Sequence, residues 1–320
     1  MIQTITIDLR CPPEDRWHLT PIQQQQAREL LALYKADLGL EAGSAEFLCT
    51  SVRELVRADY WAELESLSRA MELPISDAVI CNFYYEALKV AFGCTAFAVD
   101  TTDGVLHGRN LDWWTDGAIL SRHSSVCHFV GGTAGEFTTI GWPGFIGAFS
   151  GIAPGRFAIT LNAVLSLEPA VPATPVVLIL RNVLEEARSF DEALSVLSAV
   201  SLSCDCLLLL SGTHPGELIV IERTPSRYAI RRGESGFICV TNDYRQIQLD
   251  GAPPPSTELM ATSCGRFSRM EDLLKKGRPD SPEDCFHYLN DQAVIMQCTV
   301  QQMVFEAATG RHWVTLPPAN

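Results

Sequence analysis

Positive charge is scarce in this chain. Lysine and arginine number 24 against 38 aspartates and glutamates, a formal net charge of −14 over 320 residues. Binding a phosphate backbone requires clustered basic residues, and so does a polybasic grip on anionic lipid. The balance therefore argues against a nucleic-acid partner and against that kind of membrane anchor. Long apolar runs are missing too. No uncharged stretch approaches the length of a membrane-spanning helix, so no transmembrane segment is expected. The opening MIQTITIDLRCPPEDRWHL has no basic start followed by an apolar run, so the chain as it stands reads as cytoplasmic, without an export signal. Histidines number only 7, and none forms an HExxH pair. There is no GxGxxG opening a helix after a strand, no phosphate-binding P-loop and no GxSxG elbow. The local signatures of papain-like and caspase cysteines are absent as well.

Cysteine, by contrast, is plentiful at 11, an odd number scattered without a framework. Most read as reduced, buried small hydrophobes rather than as a disulfide scaffold. Cys204 and Cys206 with His214 come nearest to a zinc set. Strand alternation puts both cysteines on one face, where packing accounts for them. No metal and no cofactor are expected. Apolar residues make up 47% and charged residues 19%, enough for a sizeable core in one large domain or two small ones.

The order of elements is legible in outline. TITIDL (4–9) alternates like a strand, and residues 21–91 read as helices, the first with Thr20 as cap and Pro21 in its first turn. The helix ISDAVICNFYYEALKVAF is expected to run almost into Gly93. TAFAV and VLHGR flank Asp103-Gly104, a two-residue hairpin signal. FAITLNAVL (157–165) reads as a strand, followed by a helix pair, PVVLILRNVLEEAR and FDEALSVLSAV, the second opened by a Ser189/Glu192 capping box. CLLLLSG, ELIVIER, RYAIRR and GFICVTN read as four short strands, and GAPPPSTE (251–258) as a loop. Two helices, GRFSRMEDLLKK and SPEDCFHYLND, then lead to a closing hairpin around Thr309-Gly310. Tight turns imply antiparallel sheets, and helices between strand runs can cover a sheet face. The fold class is α+β, two sheets sandwiched between helix layers. The composition shifts once, at Gly93–Cys94. This divides a mainly helical segment, 1–93 with the first strand, from 94–320. Neither side buries its own apolar face, so the junction lies within one structure.

Packing does not explain Cys94, Arg109 and Asp112. A thiol near pKa 8.5 needs a base or cation to become a nucleophile, and no histidine stands out as partner. Cutting the Gly93–Cys94 bond removes that need, because the new α-amino group of Cys94 can take the thiol proton. A preceding glycine, with no Cβ, suits attack on its carbonyl. The hairpin returns the far end of its second strand to Cys94, so that Asp112 can hold an ammonium and Arg109 can stabilise thiolate or oxyanion charge. The alternative is an ordinary hairpin with a surface arginine and a capping aspartate.

CTAFAVDTTDGVLHGRNLDWW closely resembles the start of the mature β-subunit in the family of acid ceramidase and N-acylethanolamine-hydrolysing acid amidase. These are N-terminal-nucleophile hydrolases of the cholylglycine hydrolase group. Ala96 stands where the family pattern has serine. TITIDLRCPPEDRWHL, GFIGAFSGIAPGRFAITLN, VTNDY and GRFSRM are similar to further family segments in the same order. The resemblance implies an αββα sandwich with an N-terminal helical α-subunit severed before the cysteine, its fragments remaining associated. It implies Cys94 as nucleophile and new N-terminus, Asp112 on the α-amino group with Arg109 beside it, and Asn242 as oxyanion donor. Asn162 would be a second polar residue at the pocket, and Arg266 the late arginine, with Arg269 as competitor. Ala163 replaces the glutamate usual in the ceramidase-like branch, which bears on the polar contacts there. Without the resemblance, Asn242 reads as a turn residue and Arg266 as a solvated helix-start residue. Trp113, which closes the motif, and Phe145 in the Gly-rich Phe145–Phe149 stretch are assigned to substrate. The implied substrate is a lipid N-acyl amide, N-acylethanolamine- or ceramide-like, hydrolysed through a thioester. The rival readings are an acyltransferase, in which an amine resolves the thioester, and an uncleaved binding homologue.

Overall fold

The structure, a computed structural model, describes residues 2–39, 44–87, 92–113, 117–249 and 261–317. The expected approach of the fourth helix to Gly93 over 88–91 and the loop at 251–258 lie outside the described residues. A first strand, β1 (Gln3–Asp8), leads into α1 (Pro21–Leu38), α2 (Ser44–Arg53), α3 (Ala58–Met71) and α4 (Ile75–Ala87). The hairpin β2 (Phe92–Thr101) and β3 (Gly104–Trp113) follows, then α5 (Gly117–Arg122) and β4 (Ser125–Val130), β5 (Phe137–Gly141), β6 (Ser150–Ala153) and β7 (Phe157–Asn162). The helix pair is α6 (Val176–Glu186) and α7 (Phe190–Ala199), followed by β8 (Cys206–Ser211), β9 (Leu218–Arg223), β10 (Tyr228–Arg232) and β11 (Phe237–Val240). Helices α8 (Ser263–Lys276) and α9 (Pro282–Leu289) and strands β12 (Thr299–Glu306) and β13 (Arg311–Thr315) close the chain.

Local chemistry sets the helix ends. Thr20 and Gln23 cap α1 reciprocally, the threonine oxygen accepting from the Gln23 N–H at 3.3 Å and the Gln23 carbonyl from the Thr20 N–H at 2.9 Å. At α7 the expected box is half formed. Ser189 Oγ accepts from Glu192 N at 3.1 Å, but the glutamate reaches Arg188 N, at 2.8 Å, instead of Ser189. Two buried arginines cap helix C-termini. Arg156 donates to Leu184 O and Ala187 O at the end of α6. Arg223 donates to Leu197 O, Ser198 O and Val200 O at the end of α7. A cation there satisfies orphan carbonyls and opposes the negative end of the helix dipole.

The strands form an eight-stranded sheet in the order β1-β4-β5-β6-β7-β8-β9-β10 and a five-stranded sheet in the order β11-β2-β3-β12-β13. All strand pairings are antiparallel except β1 with β4, which is parallel. The long helical connection between those two strands permits what a short turn cannot. Strand alternation separates the layers. Ala96, Ala98, Leu207, Leu209 and Val220 share one cluster between the sheets. Phe97, Val99, Met270, Leu274 and Leu289 share another, between the five-stranded sheet and α8 and α9. Leu208 and Leu210 instead face the cluster containing α6 and α7. Each of the larger of these side chains (Val, Leu, Phe and Met), fully buried, stabilises by about 1.5–3 kcal/mol.

The hairpin turn lies one residue earlier than the sequence suggests. Thr101 pairs with Gly104, so Thr102 and Asp103 make the turn, and Gly104 opens β3 at φ 140. A Cβ there would lie 2.9 Å from Thr213 O, so glycine is required. The shift matters because one residue at the turn moves the pairing by two residues, roughly 6.6 Å along the strand. In the observed register Cys94 pairs with Leu111, Gly93 with Asp112 and Ala96 with Arg109.

The segment before Gly93 and the sheets share one core. Glu63 on α3 is fully buried and receives Arg181 from α6 at 2.7 Å, Arg16 at 2.8 Å and the Trp17 indole at 2.7 Å. Burial pushes its carboxyl up, but these donors outweigh burial and hold it below the ordinary range. Among the described residues no helix is long and apolar enough to cross a membrane.

Glu63→Ala would leave buried Arg181 with only Glu185, at 3.7 Å, as counter-charge among the described residues. The substitution is expected to cost about 3–5 kcal/mol in urea-unfolding free energy, whereas Arg16→Ala, nearer the surface, should cost about 1 kcal/mol. Equal, small losses in both would refute this account of the cluster. His107 offers a second test. Its ring bridges Thr160 Oγ1 and Ser211 Oγ at 2.9 Å between the sheets, and burial lowers its pKa to about 3. The unfolded chain binds this proton near pH 6.5 and the folded chain only near pH 3. The stabilisation is therefore complete above pH 6.5 and shrinks on acidification by up to about 1.4 kcal/mol per pH unit. Replacing His107 by Gln should reduce the loss of stability between pH 7 and 4.5 by about 2–3 kcal/mol, read from urea midpoints at the two pH values.

Candidate functional site

Cys94 lies near the start of β2, fully enclosed, where the two sheets meet the end of β7. Each of its three polar atoms meets a different side chain from the sequence-derived set. Arg109 Nη2 donates to the sulfur at 3.1 Å. The backbone N–H donates to Asn242 Oδ1 at 3.2 Å. The carbonyl oxygen accepts from Arg266 Nη1 at 2.7 Å. The thiol itself donates to Leu161 O at 3.6 Å. Gly93 lies in extended strand backbone rather than in a strained turn.

Alternation explains who meets whom. Arg109 shares the inter-sheet face with Ala96, its cross-strand partner, and is diagonal to Cys94. From there it reaches the other sheet, donating to Phe149 O at 2.7 Å, to Ser150 Oγ and to Leu161 O. Asp112 is one residue out of phase with Leu111 and lies on the opposite face, beside Gly93. Its Oδ1 accepts from Thr299 Oγ1 at 2.6 Å. Its Oδ2 is buried and takes no hydrogen bond among the described residues, with Arg266 Nη1 at 3.9 Å. Burial pushes the Asp112 carboxyl up, against the pull of Arg266, Thr299 and Arg109. Burial likewise pushes the Cys94 thiol up, with Arg109 opposing. In the intact chain the sulfur is thus a neutral thiol beside a guanidinium, and His107 is a neutral ring occupied by Thr160 and Ser211.

Asn242 sits just past the end of β11. β11 pairs with β2 up to Val240 and Ala96, and beyond that point the Asn242 carboxamide takes over the N–H of Cys94. Its Oδ1 also accepts from Arg266 Nη2 at 2.8 Å, and its Nδ2 donates to Ala163 O at 2.7 Å. Ser263, the first residue of α8, holds the Asn242 N–H at 2.8 Å. The helix thereby presents Arg266 one turn later, and Arg266 also donates to Thr95 Oγ1 at 2.9 Å. Its sequence competitor Arg269 points elsewhere, half-exposed and paired with Asp291.

Asn162 lies at the same strand end but is turned toward β11, its Nδ2 donating to Val240 O at 3.3 Å and Thr241 O at 2.9 Å, while its Oδ1 is buried without a partner. Trp113 and Phe145 make no polar contact with Cys94. Both are buried in an aromatic cluster. Trp113 packs against Phe92 (ring centroids 4.2 Å), Trp142 (5.0 Å) and Tyr84 (5.4 Å). Phe145 stacks on Phe149 at 5.0 Å and meets Trp142 edge-on at 6.5 Å.

Sequence reasoning did not single out Thr299, Ser150 or Ser263. Thr299 arrives from β12, which pairs with β3 far along the chain, so no local pattern marks it. Ser150 stands within the quoted GAFSG stretch, but only its distance to Arg109 distinguishes it. Ser263 precedes GRFSRM by two positions, and its small polar side chain at a helix start reads as an ordinary cap.

Comparison with known proteins follows from this geometry. The family profile described as acyl-coenzyme A:6-aminopenicillanic acid acyl-transferase matches residues 99–309. Acid ceramidase of Balaenoptera acutorostrata scammoni is 24% identical over 249 residues, covering 68% of this chain and 62% of that protein. N-acylethanolamine-hydrolyzing acid amidase of Mus musculus is 26% identical over 235 residues, with the same shares, 68% and 62%. The chain thus spans 62% of the length of these curated relatives. Among solved structures, the Caenorhabditis elegans N-acylethanolamine-hydrolyzing acid amidase ortholog superposes with a TM-score of 0.55 at 20% identity, over 69% of this chain and 100% of that one. A variant of conjugated bile acid hydrolase from Clostridium perfringens gives 0.50 at 16% identity, over 70% and 89%. At these identities the structural likeness concerns the fold, an αββα arrangement of two sheets between helices. With the profile covering most of its length, the chain belongs to the acyl-coenzyme A:6-aminopenicillanic acid acyl-transferase family and has the N-terminal-nucleophile hydrolase fold.

Proposed function

We propose that this protein is a self-processing cysteine amidase that hydrolyses the amide bond of lipid N-acyl amides, N-acylethanolamine- or ceramide-like, through a thioester on Cys94. The observation that carries the reading is the hold on one residue: Arg109 on the sulfur, Asn242 on the nitrogen and Arg266 on the carbonyl oxygen. A structural cysteine needs no such set. The names of the relatives, an acid ceramidase and an N-acylethanolamine-hydrolyzing acid amidase, supply the substrate class.

The first reaction is internal. The Cys94 sulfur adds to the Gly93 carbonyl carbon, and the C–N bond breaks as the thiol proton passes to the departing nitrogen. Water then splits the thioester, leaving a Gly93 carboxylate and a free Cys94 thiol and amine. The unpartnered Asp112 Oδ2 beside this bond supplies a counter-charge for the new ammonium. In the mature enzyme the neutral α-amine takes the thiol proton, the thiolate forms a thioester with the substrate acyl group, and the proton goes to the leaving amine. Asn242 Nδ2 is the donor assigned to the tetrahedral oxyanion. Water completes the turnover. The fragments are held together by contacts across the cut, including Glu63 with Arg181 and Glu86 capping Val176 N at 2.8 Å.

One observation favours a second reading. The matched family profile is named for an acyl-transferase, in which an amine instead of water resolves the thioester. Product analysis with and without added amine separates the two: free carboxylate in both conditions identifies a hydrolase.

Intact-mass analysis tests self-processing. The wild-type chain, incubated at pH 5 and pH 8, is expected to yield two fragments meeting at Gly93–Cys94, and Cys94→Ala none. A wild-type chain that stays whole under both conditions argues for a binding protein instead. In the processed enzyme, Asn242→Ala should lower kcat about 10²–10³-fold with little change in KM, as expected when one oxyanion donor is lost. Unchanged kcat removes Asn242 from the mechanism.

A further inference from the structure

Between β10, β11 and α8 lies a cavity of about 450 Å³, the size of a small-ligand site. Four cations line it, Arg231, Arg232, Arg245 and Lys275, against two carboxylates, Glu234 and Glu271. In a chain of net charge −14 this is a local reversal of sign. Lys275 is engaged by Glu271 at 2.7 Å, but Arg231 and Arg245 meet carboxylates only at 3.9 Å. Arg231 stands 3.9 Å from Glu222. That carboxylate is already used, accepting the backbone N–H groups of Arg245, Gln246 and Ile247 at 2.9 Å each. Arg231 Nη2 donates to Cys239 O at 2.7 Å, while its Nε is buried without a hydrogen-bond partner. Burial lowers its pKa from the ordinary guanidinium value. Arg245 lies 3.9 Å from Asp243.

The two guanidinium groups share one aromatic ring. Arg245 sits 3.9 Å over the centroid of Phe267 and Arg231 lies 5.7 Å from it. Like charges held that close on a low-dielectric wall repel, and an anion between them relieves the repulsion. Phe237 and Ile238 extend the apolar wall. Planar forks match a carboxylate in bidentate geometry, and the aromatic wall matches a hydrocarbon body but offers nothing to an inorganic ion. We propose that this cavity binds an organic carboxylate of medium chain length, its head group between Arg231 and Arg245 and its chain against Phe237 and Ile238. The proposal rests on the β10–β11–α8 geometry and is independent of the chemistry at Cys94.

Equilibrium dialysis of labelled octanoate against the Cys94→Ala chain tests it. A saturable component is expected that weakens at least tenfold in Arg245→Gln and in Arg231→Lys. Circular dichroism checks that each variant is folded, and Arg245, the more exposed of the two, keeps the test available if Arg231→Lys does not fold. Octanol and inorganic phosphate at equal concentration should leave this component in place. Octanoate binding undiminished by either substitution overturns the proposal. So does displacement by octanol, which would mark plain apolar adsorption, or by phosphate, which would mark a site for inorganic anions.

Discussion

A guanidinium buried between two sheets is the constraint on which the site depends. Arg109 is fully enclosed, and no carboxylate hydrogen-bonds to it among the described residues. Removing such a charge from water costs several kcal/mol unless its N–H groups find acceptors. The acceptors are Phe149 O, Ser150 Oγ, Leu161 O and the Cys94 sulfur, and each must be held where Arg109 can reach it. The segment before Phe149 is fixed by Asn82, which accepts from Ile146 N at 2.7 Å and donates to Gly144 O at 3.0 Å. It is also fixed by Arg181, which donates to Ile146 O at 3.1 Å. Arg181 is in turn held by Glu63. Hydrogen bonds, joined through the short backbone stretch from Ile146 to Phe149, therefore connect a helix in the first quarter of the chain to the sulfur. The N-terminal helices do more than cover a sheet: they place the acceptors that let a cation stay buried beside a thiol.

Much of this was readable from residue types and spacing. The elements are local, and their caps, turns and periods are written within each stretch, as Thr20-Pro21 before α1 and the alternation of β1 show. The Cys94, Arg109 and Asp112 grouping was readable because a tight hairpin converts sequence spacing into spatial contact. Asn242 and Arg266 were not readable in that way. As isolated residues they look like a turn asparagine and a helix-start arginine, and only their resemblance to family segments raised them. Thr299 was beyond reach, because its meeting with Asp112 depends on a strand pairing across most of the chain. The parallel β1–β4 pairing escaped for a similar reason, since pairing direction across a long connection leaves no mark on either strand.

The aromatic residues show where residue type leaves two readings open. Contact with a substrate chain is one reading of Trp113 and Phe145, and packing is the other. In the structure they pack with Phe92, Tyr84, Trp142 and Phe149 into a cluster that joins α4, the start of β2 and the loop before β6. The same property, a large flat apolar surface, serves acyl-chain binding and core packing equally well.

The tip of the hairpin behaves like the zero mark of a ruler. Gly104 lies roughly 23 Å from Leu111, the partner of Cys94, at seven residues of strand rise. A strand is stiff along its length, so an error at the mark arrives undiminished at the other end. A side chain at Gly104 that forced the turn to re-form one residue later would carry Arg109 past the sulfur by more than a hydrogen bond can span. A residue with no functional group, far from any reacting atom, thus sets the alignment of the site.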